Sequence, residues 1–435
     1  MRKFYIAILL VACSATVMAQ SGTKSPYSQF GLGVLADQST GFNRGMNGIG
    51  YAMREHNQID YLNPAAYSAI DSLSFIFDAG VGLQRNTFEE KGKKQSGNRA
   101  TFDYAVAAFR VAKGLGVSYG LLPYTNVGYS YSSTSNVNKG TYEDGSNPTY
   151  TNSYSGDGGL HQVFVGAGWE PFRGLSVGFN ASYLWGGYNR YVINSYSETY
   201  VNTLSRVYKA SVHSYKLDFG LQYEARVSRK DRFTLGLVYS LGHKLGADAE
   251  CLVISTNKQT ETSDTTRYVA ENALALPHVF GAGLAWNHSN RIKLEFDYQL
   301  QKWSNVEFPQ YTDNGAGSSY VPVKGLFADR KKYSFGGEYC HNERDRSFFG
   351  RVHYRAGVSY ASPYQKINGA DGPSELSVSL GVGIPIINSY NNRSLLNISG
   401  QWVRQSAEGF VKENIFRINV GFTFNERWFA KFKVE

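Results

Sequence analysis

The sequence has little proline, few helical patterns and, beyond its first residues, no long hydrophobic run. After residue 19, no run of about 18 apolar residues could cross a membrane as a helix, which excludes a helical membrane protein. Only 11 of the 435 residues are proline, and few segments show a helical period. Aromatic residues and glycine are plentiful, with 32 Tyr, 26 Phe and 46 Gly. The composition therefore favours an all-β protein.

Motifs for catalysis and metal binding are also missing. The eight His are scattered, with no H-E-x-x-H sequence and no Cys pair at metal-ligand spacing. The stretch 116–120 matches G-x-S-x-G, but this motif forms a nucleophile elbow only between a strand and a helix. Here it lies inside an alternating segment that continues as a strand. We therefore predict that the chain is not an enzyme and has no metal or cofactor.

Apolar and polar residues alternate strictly along most of the chain. In the last stretch, the apolar face comprises Phe416, Ile418, Val420, Phe422 and Phe424. A period of two indicates a β-strand whose two faces meet different media. Because no covering layer of helices is evident, the pattern predicts an antiparallel transmembrane β-barrel with lipid outside and a polar lumen. A soluble sandwich or propeller would explain any single strand equally well, but not the whole pattern.

The alternating segments number about fourteen, an even number as expected for single-chain bacterial barrels. Short links between them alternate with long ones. The long links run roughly over 87–100, 132–157, 188–207, 244–275, 302–331, 361–374 and 405–412. Outer-membrane barrels have short periplasmic turns and longer outer loops. We therefore predict a bacterial outer-membrane location with both termini in the periplasm.

Aromatic residues and apolar alternation also predict which side chains contact lipid. Trp169, Phe172, Trp286, Trp428 and Phe429 fall at the short-turn end, where they would form an aromatic girdle. In the second and third segments, we expect the lipid-facing residues to be Phe102, Tyr104, Val106, Val117, Tyr119 and Leu121.

The N-terminus has the pattern of a secretory signal peptide over residues 1–19. Arg2 and Lys3 form a basic region, an apolar stretch follows, and a small-residue cleavage site ends at Ala19. A lipoprotein signal ending at Cys13 is an alternative; in either case the chain leaves the cytoplasm. Residues 20–70 are rich in Gly, Asn and Ser and alternate little, whereas residues 71–435 form the predicted barrel.

Two cysteines remain if Cys13 is removed with the signal peptide. Cys251 lies in a predicted outer loop, and Cys340 lies at the inner end of a predicted strand. An extracytoplasmic compartment allows disulfides, but the two residues fall on opposite sides of the membrane. We therefore predict two free thiols.

Charged residues are predicted on the inward faces of several strands. They are Lys216, Asp218, Glu224, Lys293, Glu295, Asp297, Glu338, Arg351, Arg355 and Arg417. Arg or Lys facing lipid at the midplane would cost roughly 2–4 kcal/mol, so a lumenal position is favoured. These charges could line a selective pore or hold the wall to a plug, and we favour the second role. The formal charge of the chain is +9. Because the sequence contains no compact basic stripe and no recognition motif, we predict no nucleic-acid partner.

The chain resembles the FadL-type outer-membrane transporters of hydrophobic compounds, in the branch common in Bacteroidota. The features that carry the resemblance are Asn63-Pro64-Ala65, Leu122-Pro123-Tyr124 in the third strand and the ending 425–431. Pro123 interrupts a strand, and proline within a sheet marks an edge, bulge or bend. The resemblance implies that residues 20–70 are a hatch inside the barrel and that a lateral opening lies near Pro123.

The resemblance leaves two functions open. The first is uptake of hydrophobic, fatty-acid-like molecules through a plugged barrel with a lateral opening. Its partners would be that ligand, outer-membrane lipid and lipopolysaccharide, and the barrel-assembly machinery that inserts the barrel. The second is a non-transporting FadL-like subunit of an outer-membrane secretion or assembly complex, for which the long links 132–157, 244–275 and 302–331 would suit partner docking.

Overall fold

The computed structural model describes residues 23–90, 92–137, 147–315, 317–386 and 394–427. The predicted signal peptide, Cys13, Trp428 and Phe429 lie outside these residues, so the corresponding predictions stay predictions. Within the described residues, no helix is long and apolar enough to cross a membrane.

Fourteen antiparallel strands close into a barrel, which confirms the predicted fold class. The barrel strands, numbered in chain order, are β1 (Ser74–Glu90), β2 (Lys93–Ala112), β3 (Leu115–Asn136), β4 (Thr149–Phe172), β5 (Leu175–Tyr196), β6 (Thr203–Arg226), β7 (Asp231–Ser240), β8 (Val279–His288), β9 (Ile292–Gln301), β10 (Arg330–Tyr339), β11 (His353–Ala361), β12 (Ser374–Ile386), β13 (Ser394–Ser406) and β14 (Lys412–Arg427). Each strand pairs with the next, and β14 pairs with β1 from Arg427 opposite Ser74 to Lys412 opposite Glu89.

Smaller elements lie before β1 and in the links. They are the 3-10 helices Pro26–Gln29, Pro64–Ala69 and Trp303–Asn305, the helical turns Gly41–Arg44 and Phe348–Arg351, the strand Val34–Leu35, and three hairpins: Ala249–Thr256 with Ser263–Ala270, Phe308–Asp313 with Ser318–Val323, and Lys366–Ile367 with Ala370–Asp371. The first hairpin extends the wall, because Ala249–Thr256 pairs with the end of β6 that lies away from its short turn.

The outer surface carries an apolar band, as the alternation predicts. Phe172 is 71% exposed, Leu380 66% and Val165 59%, and each of them points away from the lumen. Soluble monomers rarely expose a continuous surface of large apolar side chains, whereas a lipid-facing wall requires one. The polar partners in the alternation, such as Gln222 and Asn180, are fully buried inside.

One extra residue in β2 makes part of the prediction of lipid-facing side chains wrong. Gly80 pairs with Tyr104 and Val81 pairs with Phe102, so Asp103 forms a bulge. Because the side-chain period is two, a single inserted residue exchanges inside and outside for the remainder of the strand. Tyr104 and Val106 therefore lie buried inside the barrel and not against lipid.

Strands β1 to β6 are much longer than a membrane crossing requires. A transmembrane strand needs about 9–11 residues, whereas β3 has 22 and β4 and β6 have 24. In the described residues, the links predicted at 87–100, 132–157 and 188–207 are consequently largely strand, which corrects their assignment as loops. The reason is that apolar alternation ends at the edge of the membrane, whereas the Tyr- and Thr-rich sequence beyond it still favours extended backbone.

The lumen is filled by residues 23–73, which we call the N-terminal segment. Its 3-10 helix Pro64–Ala69 packs against β3 to β6, and its helical turn Gly41–Arg44 packs against β12 to β14. Phe42, Ile49 and Tyr67 are each at most 1% exposed. The segment therefore contacts opposite walls of the barrel.

The two remaining cysteines are free and buried. Cys251 lies in the hairpin strand Ala249–Thr256, at the end of the barrel with the long links. Cys340 follows β10 at the short-turn end, where its backbone N–H donates to the carbonyl of Arg291 at 2.8 Å. The two thiols thus lie at opposite ends of the barrel.

Candidate functional site

Two carboxylates of β9 bind the backbone of the N-terminal segment. Asp297 Oδ2 accepts hydrogen bonds from the N–H groups of Gly50 at 2.9 Å and Tyr51 at 3.2 Å. Glu295 Oε1 accepts from the N–H of Ala52 at 2.7 Å. Buried backbone N–H groups need acceptors, and these side-chain oxygens supply them. These two predicted lumenal charges are therefore engaged by main-chain donors of the segment.

Glu338 is the centre of a buried charge cluster, which we call the Glu338 cluster. Its carboxylate lies 3.0 Å from Lys293 Nζ, 2.7 Å from Arg355 Nε and 3.1 Å from His353 Nδ1. The strand register sets this arrangement, since Lys293 pairs with Glu338 and Glu338 pairs with Arg355. Lys293 Nζ also lies 2.5 Å from Glu55 of the N-terminal segment. The cluster thus joins β9, β10, β11 and the segment.

A second ion pair joins β6 to the segment. Lys216 Nζ donates to Asp218 Oδ1 at 2.6 Å, and Ser240 Oγ donates to the same oxygen at 2.5 Å. Tyr61 of the segment donates to Asp218 Oδ2 at 3.4 Å, and its ring lies 5.8 Å from the Lys216 ammonium. Both charges are about nine-tenths buried. They are therefore neutralised by each other and shielded from water.

The remaining predicted charges lie at the rim or elsewhere. Glu224 lies 3.7 Å from Arg232 at the short-turn end, and Arg417 Nε donates to Gln84 at 3.1 Å inside the lumen. Arg351 is not on a barrel strand, which corrects its lumenal assignment. It ends the helical turn Phe348–Arg351, where its guanidinium donates to the carbonyl of Asp345 at 3.0 Å. The strand β11 begins two residues later than the alternation suggested.

Arg44 is a buried charge of the segment that the sequence did not indicate. Its guanidinium lies 3.0 Å from Asp103 and donates to Asn419 at 3.2 Å. It also lies 5.7 Å from the ring of Tyr104. Asp103 is the bulged residue of β2, and the bulge turns it toward the lumen. The pair could be predicted only if the position of the bulge were known, and no sequence pattern marks that position.

The predicted motif Asn63-Pro64-Ala65 begins the 3-10 helix Pro64–Ala69. Asn63 Oδ1 accepts from the N–H of Ala65 at 3.1 Å, and Asn63 Nδ2 donates to the carbonyl of Tyr51 at 2.6 Å. Asn is a favoured N-cap, and Pro is tolerated at the first helical position because it lacks an N–H. The motif therefore fixes where the segment turns onto the wall.

Four glycines in adjacent strands let this helix lie directly against the wall. Gly116, Gly168, Gly178 and Gly220 are consecutive cross-strand partners on β3, β4, β5 and β6, and we call them the glycine row. A Cβ atom at Gly116 would lie 1.9 Å from the carbonyl oxygen of Tyr67, and one at Gly178 would lie 2.4 Å from the carbonyl carbon of Pro64. No other residue leaves room for the backbone here. Gly116 is also the first residue of the G-x-S-x-G stretch. The close approach of Tyr67 explains why this position is glycine.

The opposite wall has a similar arrangement. A Cβ atom at Gly357 would lie 2.3 Å from the carbonyl of Met46, and one at Gly381 would lie 2.8 Å from the Cα atom of Gly45. Gly357 lies on β11 and Gly381 on β12. Inward-facing glycines therefore seat the N-terminal segment on both sides of the lumen.

Strands β2 and β3 separate along part of their length. In the described residues, their pairing covers Ala105–Ala112 and Leu115–Leu121. Beyond Leu121, β3 pairs with β4 on one side, and Val34 and Leu35 of the segment pair with it at Asn126 and Thr125. We call this boundary the β2–β3 seam.

The predicted residues Leu122, Pro123 and Tyr124 lie where the seam begins. Pro123 pairs with His161 and Thr125 with Leu160, so Tyr124 is an extra, bulged residue. Gln38 Nε2 donates to the carbonyl of Pro123 at 2.7 Å. The N–H of Ala36 donates to the carbonyl of Tyr124 at 3.0 Å. Residues of the N-terminal segment thus satisfy the β3 backbone that β2 leaves unpaired.

An apolar cluster lies on the lumen side of the seam. Its buried members include Leu32, Tyr124, Val127, Leu160, Leu184, Tyr188, Leu276, Trp303, Phe308 and Phe327. They come from the wall, the segment and the links after β7 and β9, and Tyr364 of the link after β11 packs against them. We call this group the apolar cluster.

Polar cavities lie inside the barrel and at its short-turn end. A cavity of about 130 Å³ lies beside β9 to β14 and is lined by charged and amide groups, among them Asp37, Arg330, Lys332 and Glu375. A space of about 1040 Å³ opens at the short-turn end, and we call it the vestibule. In the described parts of the chain, no group of three His, Cys, Asp or Glu residues could hold a metal ion.

Among the titratable groups of the segment, Asp60 and His56 have raised pKa values. Burial raises the pKa of the Asp60 carboxyl well above its usual range, although Asp60 Oδ1 accepts from the N–H of Leu62 at 3.1 Å. Near the vestibule, a hydrogen bond to Asp71 raises the pKa of His56. The Asp60 shift follows from desolvation, which disfavours the charged form.

Comparisons with known proteins agree with this architecture. A family model described as BamG matches residues 1–435. No curated protein matches the chain. Among solved structures, the toluene transporter TodX of P. putida has 13% identity and a TM-score of 0.62, covering 91% of this chain and 100% of that chain. The toluene transporter TbuX of Ralstonia pickettii has 13% identity and a TM-score of 0.61, covering 90% and 99%.

A FadL homologue of Pseudomonas aeruginosa also matches, with 11% identity and a TM-score of 0.58, covering 90% of this chain and 98% of that chain. These similarities confirm that the fold is FadL-like. At such low identity, they show the fold but do not identify a ligand.

Proposed function

Because the chain belongs to the BamG family, we propose that it is a non-transporting subunit of an outer-membrane barrel-assembly complex. The family name points to barrel assembly. The observation that carries the proposal is the glycine row, which seats the backbone of the N-terminal segment directly on the wall. A segment fitted in this way fills the lumen as a structural core, and transport of a solute would require the fitted backbone to move.

The long-link end offers the surface for partner subunits. Strands β1 to β6 continue beyond the length needed to cross a membrane, and the hairpin Ala249–Thr256 with Ser263–Ala270 widens the same wall. Exposed tyrosines occur here, including Tyr200 at 67% and Tyr131 at 38%. Tyrosine is enriched at protein interfaces because one side chain supplies both apolar area and a hydrogen-bonding group.

The proposal predicts co-purification with barrel-assembly subunits. The full chain, tagged at its C-terminus, would be solubilised from outer membranes in mild detergent and separated by size. We expect it to elute with other assembly subunits in fixed stoichiometry. Depleting the chain should also lower the amount of other heat-modifiable barrels in the outer membrane. A lone barrel whose depletion leaves other barrels unchanged would contradict the proposal.

Uptake of hydrophobic compounds is a second candidate, and the β2–β3 seam favours it. The segment residues Val34 and Leu35 occupy the position that β2 would take beside β3, and the apolar cluster lies next to them. Release of these two residues would join an apolar interior to the lipid-facing surface. The ligand class would then be apolar small molecules, including fatty-acid-like ones.

This candidate predicts that locking the seam abolishes uptake. Val34 and Asn126 are directly opposed, so Val34→Cys with Asn126→Cys can form a disulfide across the seam. Oxidation should reduce uptake of labelled toluene or a long-chain fatty acid to the level of cells lacking the chain, and reduction should restore it. The control pair is Leu204→Cys with Ser255→Cys, which are opposed in the wall away from the seam. Equal uptake in oxidised and reduced cells would exclude this route.

A further inference from the structure

The vestibule has an excess of positive charge. It is lined by the turns after β2, β4, β8 and β10, by the adjoining ends of β6 and β7, and by parts of the N-terminal segment. Eight of its lining residues are Lys or Arg and four are Glu. The rim therefore concentrates part of the chain's formal charge of +9 in one concave space.

Most of the carboxylates in the vestibule are already engaged by other cations. Glu170 lies 3.0 Å from Arg54, Glu224 lies 3.7 Å from Arg232, and Glu55 lies 2.5 Å from Lys293. These pairs neutralise the inner part of the lining. The acidic residues that remain to balance the rim are consequently few.

The other basic residues of the lining have no such partner. In the part of the chain that the structure describes, ion pairs involve none of Arg110, Lys113, Arg173, Arg291 and Arg344. The last four are exposed and come from four different turns. They surround the opening, so their fields add within it.

We propose that the vestibule binds an acidic segment of a partner protein. In the orientation expected for an outer-membrane barrel, this end faces the periplasm. The inference rests on the proposed function and names the partner chemistry at this end of the barrel. Arginine presents a planar set of donors that matches a carboxylate, and three of the four exposed cations are arginines.

The position of the basic residues favours a protein over the membrane surface. The vestibule is concave and lies at the end of the lumen, whereas lipid headgroups surround the outside of the barrel. Trp169 and Phe172, 53% and 71% exposed, face outward beside the turn that carries Arg173. Aromatic side chains of this kind occupy the membrane interface, so lipid contacts the outer side of the turn and not its basic inner side.

Direct binding of an acidic peptide tests the proposal. A labelled poly-glutamate peptide would be titrated against the full chain in an uncharged detergent. We expect saturable binding that weakens as salt is added, because salt screens exposed charges. The combined variant Lys113→Gln, Arg173→Gln, Arg291→Gln and Arg344→Gln should weaken binding by about tenfold or more, since roughly 1.4 kcal/mol lost over four contacts suffices.

A matched variant controls for net charge. Lys93→Gln, Lys209→Gln, Lys331→Gln and Lys412→Gln removes four exposed cations from the other end of the barrel and should leave peptide binding unchanged. Equal binding by the vestibule variant and wild type would overturn the proposal, as would an equal loss in the control. It would also be overturned if the four residues instead governed binding to phosphatidylglycerol micelles. Because the titration uses no other subunit, its failure is distinct from failure of co-purification.

Discussion

Replacing Gly178 by valine is expected to convert a closed barrel into an ion-conducting one. The new side chain would begin 2.4 Å from the carbonyl carbon of Pro64 and 2.5 Å from the amide nitrogen of Ala65. Backbone cannot rotate away as a side chain can, so the 3-10 helix Pro64–Ala69 must leave the wall. Overpacking of this kind costs about 1–3 kcal/mol. Once the helix is displaced, the polar lumen becomes continuous.

Conductance across planar lipid bilayers measures this effect. Wild type should show no stable channel, and Gly178→Val should show long-lived openings. The control is Gly400→Val, because a Cβ atom at Gly400 has no other heavy atom within 4 Å. Both variants should keep a folded, heat-modifiable band on gels. If Gly178→Val is as silent as Gly400→Val, then the glycine row does not govern closure of the lumen.

Removal of the Glu338 carboxylate is expected to have the largest effect on stability. Glu338→Ala would leave Lys293, His353 and Arg355 close together in a buried space without their shared counter-ion. Breaking a buried ion pair by removing one partner costs about 3–5 kcal/mol. Glu55 would still neutralise Lys293, so we expect a loss of about 3 kcal/mol, at the lower end of this range.

Urea unfolding in detergent measures this loss of stability. The folded fraction is read from the gel shift between folded and unfolded bands. Glu338→Gln keeps the shape and some hydrogen bonds but removes the charge, so its stability should lie between wild type and Glu338→Ala. Glu343→Ala serves as the control, since Glu343 is exposed at the vestibule rim. A Glu338→Ala midpoint equal to that of Glu343→Ala would show that the Glu338 cluster does not stabilise the barrel.

The barrel itself could be predicted from the sequence because lipid imposes a strict rule on each strand. In β14, the apolar residues from Phe416 to Phe422 face outward as the alternation requires. Such a rule acts within one strand and needs no knowledge of its neighbours. For this reason, the number of strands followed from a single sequence.

The facing of β2 and the course of β3 could not be predicted in the same way. The bulges at Asp103 and Tyr124 depend on how two strands pair, and no local residue pattern marks them. Likewise, the face that carries Lys293, Glu338 and Arg355 was evident, whereas their mutual contact depends on register across three strands. The role of the glycine row could not be predicted either. Gly116 is needed because the backbone of Tyr67, which is distant in sequence, lies directly against it.

The N-terminal segment also bears on how fast the chain can fold, because its contacts span almost the whole sequence. It contacts β3 to β6 on one side and β12 to β14 on the other, and Ser25 donates to Glu413 although 388 positions separate them. Pairing of β14 with β1 completes a ring around the segment. The segment therefore has its full set of partners only when this ring is closed. Such distant contacts give the chain a high contact order, which is associated with slow folding.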